Sequence, residues 1–145
     1  MLTAVPSILI VEDDPAIRAM LLSALRREPL HVESAVDGVD ALQQMKDHHF
    51  AVVIVDLMMP RMDGFAFVEE LRQLRRGVRP IVFVMTAYDD AMLHRLEPGT
   101  VHAYLRKPFD VALLVEMVRD CAEAVTGADE MYVPPEMMIR EDNVC

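Results

Sequence analysis

Phe50–Gly64 reads FAVVIVDLMMPRMDG. Phe50–Val55 is a continuous apolar run rich in Val and Ile. It is too short for a helix and too apolar for a half-exposed strand, which predicts a strand buried on both faces of a parallel sheet. One carboxylate, Asp56, stands where the run stops, followed by Pro60 and the turn pair Asp63-Gly64. An acid at the exit of a buried strand does not serve packing. In an open α/β sheet that position is the carboxyl edge, where ligands bind. Asp56 lies too far ahead of a helix beginning near Gly64 to act as its cap.

Outward from this stretch, the pattern repeats. Ser7–Val11 (SILIV) predicts a first strand that runs directly into Glu12, Asp13 and Asp14. Asp14 suits an N-cap and Pro15 a first helical turn, with Ile17, Met20, Leu21, Ala24 and Leu25 at helical spacing through Arg27. Pro29 ends that helix. Leu30–Val36 reads as a less buried second strand, Asp37-Gly38 as a turn, and Val39, Leu42 and Met45 mark a helix ending near His49. After the third strand, Phe50–Val55, a helix is expected over Gly64–Arg76 and stopped by Gly77. A fourth strand follows over Pro80–Met85, ending in Thr86-Ala87. A short fourth helix over Asp89–Leu96 is cut off by Pro98-Gly99. Val101–Arg106 is the fifth strand, ending in Lys107-Pro108, and Asp110–Val125 the last helix. Strands alternate with helices throughout, so the expected fold is α/β: one doubly wound, five-stranded parallel sheet covered on both faces.

Composition narrows the function. The 145 residues suit one domain with a real core, residues 1–125, followed by a tail or linker, 126–145. The chain is 53% hydrophobic and carries a net charge of −10. That balance opposes direct binding to nucleic acid or an acidic membrane surface and favours basic partners and cations. Cys121 and Cys145 form no spacing motif, so no disulfide framework is expected. No basic segment leads a long apolar run at the N-terminus, and no apolar run is long enough to span a membrane. A cytoplasmic location is the expectation.

Chemistry gathers at the strand ends. The first strand ends in Glu12 and Asp13, the third in Asp56, the fourth in Thr86 and the fifth in Lys107. In a parallel sheet these ends share one edge. Two carboxylates about 4 Å apart repel by roughly 4 kcal/mol at an effective dielectric near 20. Three of them need a cation or must take up protons. Lys107 neutralises one charge. The donors on offer are hard oxygens, with no cysteine and no suitably placed histidine, which selects magnesium, or manganese, with water completing the shell. A metal and an ammonium around a lone carboxylate make a site for phosphoryl oxygens, with Asp56 as nucleophile. The histidines His31, His48, His49, His94 and His102 show no ligand spacing and are expected to be solvated or at edges.

Glu12-Asp13, Asp56 within DLMMPRMDG, Thr86-Ala87, Tyr104 and Lys107-Pro108-Phe109 together resemble the receiver domain of bacterial two-component response regulators, over about residues 7 to 125. The resemblance implies a flavodoxin-like sheet of strand order 2-1-3-4-5. It implies Asp56 as phosphoacceptor, taking its phosphoryl group from a histidine kinase or a histidine phosphotransfer protein. Asp13, Asp56 and the backbone carbonyl of Met58 would bind magnesium, with Glu12 acting through water. Lys107 would contact the phosphoryl group, and the Lys107–Pro108 bond would be cis. Thr86 would swing to the phosphoryl group and Tyr104 would follow inward, switching a protein-interaction surface. Such a domain catalyses only its own phosphorylation and dephosphorylation.

The chain departs from the family between Thr86 and Lys107. This stretch is one residue shorter than usual, Thr100-Val101 stands in place of a small Gly-Ala pair, and Gly99 comes one place early. A short, distorted or mobile fourth helix is expected. Met58 and Tyr88, where the family flanks the path of attacking water, are bulky, which predicts a long-lived phosphate. On the last helix Val111, Leu114, Val115, Val118, Ala122 and Val125 fit a core. Leu113, Met117 and Cys121 add a second stripe, either the flank of a broad buried face or a homodimer or partner surface.

Three rivals remain in view. A receiver-like interaction module without a working switch would share the sequence. A flavin-phosphate binder would need a phosphate loop after the first strand, where Glu12-Asp13-Asp14-Pro15 would instead repel phosphate. An aspartate-based phosphatase would need a second aspartate two residues after Asp56, where Met58 stands.

Overall fold

Three apolar runs with no polar interruption set the middle of the sheet. In the computed structural model, which describes residues 5–59, 61–74, 79–86, 96 and 99–126, these become β1 (Ser7–Val11), β3 (Val52–Asp56) and β4 (Ile81–Thr86). Their side chains are buried almost without exception, as expected for strands covered on both faces. β2 (His31–Ala35) and β5 (Ala103–Arg106) are the mixed-polarity edges. All pairings are parallel and the order is β2-β1-β3-β4-β5. This is the expected flavodoxin-like order.

Four helices are described: α1 (Pro15–Leu25), α2 (Gly38–Asp47), α3 (Gly64–Arg72) and α4 (Val111–Thr126). Strand alternation divides the core in two. Ile8, Ile10, Ile54, Phe83, Met85 and Leu105 pack with Leu21 and Leu25 of α1 and Leu114, Val118 and Ala122 of α4. Leu9, Val53, Val55 and Val84 face the other way, onto Ala41 of α2 and Phe65, Phe67, Val68 and Leu71 of α3.

Each of the first three helices starts at an aspartate that accepts orphan amide N–H groups. Asp14 accepts from Ala16 at 2.8 Å and Ile17 at 3.2 Å, as its place before Pro15 predicts. Asp37 accepts from Asp40 at 2.9 Å and Asp63 from Ala66 at 2.9 Å. The expectation that Asp37-Gly38 and Asp63 are only turn residues is therefore corrected. Each aspartate begins a helix, and Gly38 and Gly64 are first helical residues.

Two open readings are decided and one strand boundary moves. The second stripe of α4 belongs to the core: Met117 is 1% exposed, Cys121 0%, and Leu113 packs against the same cluster. Met117 and Cys121 are therefore closed to a partner, and Leu113 is half-buried beside them. β5 starts at Ala103 rather than Val101 because His102 pairs through its ring instead. His102 N–H donates to the Val82 carbonyl at 2.8 Å, and its Nδ1 accepts the Val82 N–H at 2.9 Å. It is half-buried and bonded beside the edge strand β5, the second of the two placements expected for it. Of the helix expected over Asp89–Leu96 only Leu96 is described, buried in the α3-side core, and the tail beyond Thr126 lies outside the described residues.

Candidate functional site: an acidic pocket at the carboxyl edge

β1 and β3 are in register, Val11 against Val55, so Glu12 and Asp56 leave adjacent strands side by side. β5 follows β4 with Thr86 against Arg106, which brings Lys107 to the same edge. Carboxylate oxygens of Glu12, Asp13 and Asp56 all lie within 4.8 Å of one another. Glu12 and Asp56 are buried and Asp13 is exposed. Lys107 Nζ sits 2.9 Å from Asp56 Oδ2 and 3.4 Å from Glu12 Oε2. Asp56 Oδ1 accepts the Met58 N–H at 3.0 Å, and Glu12 Oε1 accepts the Asp14 N–H at 3.1 Å.

Electrostatics show what this pocket lacks. At separations of 4.8 Å or less and an effective dielectric near 20, each pair of ionised carboxylates repels by at least about 3.5 kcal/mol, and Lys107 offsets only part of that. Burial, and after it the negative charge of Asp56, push the Glu12 carboxyl up to about 7. Burial pulls on Lys107 in the opposite sense. The hydrogen bond and charge of Asp56, with Glu12, outweigh that pull and hold the ammonium above the ordinary lysine range. Three hard-oxygen donors, one of them open to solvent, fit a magnesium or manganese ion.

The loop after Asp56 is tied down closely. Leu57 N–H bonds the Met85 carbonyl at 3.2 Å, and Gly64 N–H bonds the Leu57 carbonyl at 3.0 Å. A Cβ on Gly64 would collide with the Leu57 backbone and lie 2.5 Å from the Asp56 carbonyl oxygen. Only glycine lets α3 begin this close to the acid. Met58 carries its side chain outward, 56% exposed. Arg61 adopts the left-handed conformation, φ 62°, and its Nε donates to the buried Asp37 carboxylate.

Thr86, 1% exposed, ends β4, and its carbonyl accepts the Lys107 N–H at 2.8 Å. Tyr104 is paired in register with Val84 and packs against the α3-side core. Alternation along β4 and β5 therefore puts Thr86 and Tyr104 on the same face of the sheet. The Lys107–Pro108 peptide bond is cis. Tyr88 and Ala87 lie outside the described residues. Sequence reasoning missed Arg18, Asp37 and Arg61, whose contacts reach the loops bordering the pocket.

A parallel sheet of order 2-1-3-4-5, with three acids and a lysine meeting at its carboxyl edge, defines a phosphoacceptor class of signalling domain. A family model for the response regulator receiver domain matches residues 8–119. The chain belongs to this family. It is 34% identical over 114 residues to the transcriptional regulatory protein PrrA of Mycobacterium tuberculosis, covering 79% of this chain and 48% of that one. It is 31% identical over 119 residues to the sensor kinase CckA of Brucella abortus, covering 81% of this chain and 12% of that one. The chain thus spans about half the length of the first of these relatives and a small part of the second. Among solved structures, a CheY-like receiver domain protein from Methanospirillum hungatei superposes with TM-score 0.73 at 25% identity, over 84% of this chain and 97% of that one. The response regulator TrrA from Thermotoga maritima, in complex with Mg(2+)-BeF, superposes with TM-score 0.69 at 28% identity, over 79% and 97%. Among the described residues no helix is long and apolar enough to cross a membrane.

Proposed function

We propose that Asp56 accepts a phosphoryl group from the phosphohistidine of a histidine kinase or histidine phosphotransfer protein, and that the change is read by a protein partner. The observation that carries this reading is the place of Asp56: last residue of a buried strand, within 4.8 Å of the Glu12 and Asp13 carboxylates and 2.9 Å from Lys107 Nζ. A carboxylate oxygen of Asp56 attacks phosphorus, the phosphorus–nitrogen bond breaks, and the imidazole leaves with the electron pair. Asp13, Asp56 and the Met58 carbonyl would hold magnesium, with Glu12 acting through water. The ion supplies positive charge against the phosphoryl oxygens. Lys107 moves its ammonium from the Asp56 carboxylate to the new phosphoryl oxygens. Thr86 turns its hydroxyl toward them, and Tyr104, on the same face, follows inward.

The domain is a phosphoacceptor rather than a turnover enzyme, acting only on its own phosphate. The receiver occupies residues 1–125, with 126–145 as tail or linker, in the cytoplasm. A net charge of −10 supports protein rather than nucleic acid as the direct partner of this segment. The test is intact-mass analysis after incubation with acetyl phosphate, with and without magnesium. Wild type is expected to gain one phosphoryl group only with the metal, and Asp56→Asn none. An equal gain by Asp56→Asn would overturn the assignment.

A further inference from the structure

Glu12 and Asp13 sit on a short loop that carries three consecutive acids, Glu12, Asp13 and Asp14. Left to itself, such a loop splays, because the repulsion between neighbouring carboxylates is relieved by turning one of them to solvent. The loop is held in three ways. Glu12 N–H bonds the Ala35 carbonyl of β2 at 3.1 Å. The Asp14 side chain caps α1. On the α1 side, Arg18 reaches back to the loop's own carbonyls. Its Nη1 donates to the Glu12 carbonyl at 2.9 Å and to the Asp13 carbonyl at 3.3 Å.

These two carbonyls belong to the acids proposed to hold the metal. The two peptide planes gripped by Arg18 flank Asp13, and together with the plane held by the Glu12 N–H bond to Ala35 they set the directions in which both side chains leave the backbone. Arg18 is placed to do this because its own N–H closes the first turn of α1 onto the Asp14 carbonyl at 2.9 Å. The helix that starts at Asp14 thus carries the group that grips the two residues before it.

We infer that Arg18 is a positioning residue for the metal-binding acids: through the Glu12 and Asp13 carbonyls it holds both carboxylates in the orientation that takes a divalent cation. The inference rests on the proposed metal site, and its test separates the two. Manganese binding is measured on the whole chain by electron paramagnetic resonance of the free ion, for wild type, Asp13→Asn, Arg18→Gln and Arg18→Lys. Thermal unfolding in excess chelator is followed in parallel. Manganese binding by wild type that is lost in Asp13→Asn establishes the site. Failure of that control strikes the site itself, and the role given to Arg18 falls with it.

With the site established, Arg18→Gln is expected to weaken manganese binding by about tenfold, the lower range for residues that orient metal ligands. Its unfolding temperature in chelator is expected to stay near wild type, and Arg18→Lys to recover part of the affinity. Manganese affinity in Arg18→Gln within about twofold of wild type, or a loss that appears only together with a matching loss of stability in chelator, would overturn the inference.

Discussion

Asp56 Oδ2 and Lys107 Nζ lie 2.9 Å apart, although 51 residues separate them in the chain. Nothing local brings them together. β3 and β5 do not touch, and β4 stands between them, paired to both. The contact exists because all three strands run parallel and end on one edge. Lys107 is also within 3.4 Å of Glu12, so one ammonium serves two buried carboxylates. This imbalance of charge shapes the behaviour of the metal-free protein.

Glu12 should make the metal-free protein less stable as pH rises. Its carboxyl is pushed from 4.5 up to about 7 in the fold. Between those values the folded chain keeps a proton that the unfolded chain has released. The contribution is fully present below 4.5 and is lost as pH rises through about 7, up to about 3 kcal/mol. Glu12→Gln, which cannot ionise, should flatten this slope. Urea unfolding in chelator from pH 4 to 8 checks it, and parallel slopes in the two proteins would contradict it.

His102 should act in the opposite sense. Burial lowers its pKa below 6.5, against the effect of the Val82 backbone bond. Its Nδ1 accepts the Val82 N–H, so the folded form needs that nitrogen unprotonated. Stability is present above 6.5 and is lost as pH falls through the lowered folded value. The two effects overlap in wild type and partly cancel. His102→Gln in a Glu12→Gln background should therefore remove the fall on the acid side that Glu12→Gln alone uncovers. Denaturation midpoints of the two variants between pH 5 and 7 make the comparison.

Asp37 holds two structures at once. It caps α2 and pairs with Arg61, whose left-handed backbone is a sparsely populated conformation for a residue with a side chain. The pairing keeps the Asp37 carboxyl below the usual aspartate range, chiefly through the Arg61 hydrogen bond. Asp37→Asn keeps a good cap and loses the charge pair, whereas Asp37→Ala loses both. The expected order of stability is wild type, Asn, then Ala, with about 1 kcal/mol between the last two for the cap. Arg61→Gly should cost less than Asp37→Ala, because glycine accepts the backbone angle. Equilibrium unfolding in urea ranks the four proteins.

Met58 and Tyr88 should lengthen the life of the phosphorylated state. Met58 stands two residues beyond Asp56 with its amide bonded to the Asp56 carboxylate. A bulky apolar side chain there is expected to obstruct the approach of water. Met58→Asn combined with Tyr88→Glu is expected to shorten the half-life several-fold, as read by the decay of the phosphorylated mass. Loss no faster than wild type would remove this role.

The sheet could be read from sequence wherever burial was uniform. β1, β3 and β4 announce themselves as unbroken apolar runs, and parallel packing then gathers Glu12, Asp13, Asp56, Thr86 and Lys107 without further information. Asp37, Arg61 and Arg18 could not be read this way. An Asp-Gly pair looks like a turn whether or not it opens a helix, and a partner 24 residues away leaves no trace in periodicity. Arg18 lies on a helix whose apolar spacing draws attention to its neighbours. Its bonds go to backbone carbonyls, which the sequence does not display. His102 escaped because a ring nitrogen replacing a strand acceptor has no pattern of its own. The stripe on α4 remained open because the width of a buried helix face depends on what packs against it. Here the sheet and α1 reach far enough to cover Met117 and Cys121.

The central claim is that Asp56 carries the phosphoryl group. Borohydride reduction of the phosphorylated chain converts an acyl phosphate to the corresponding alcohol, so aspartate becomes homoserine. Peptide mapping then locates the change. The account predicts homoserine at position 56 alone, dependent on magnesium during phosphorylation. Homoserine at position 13, or a phosphorylated chain with no reducible aspartate, would contradict it.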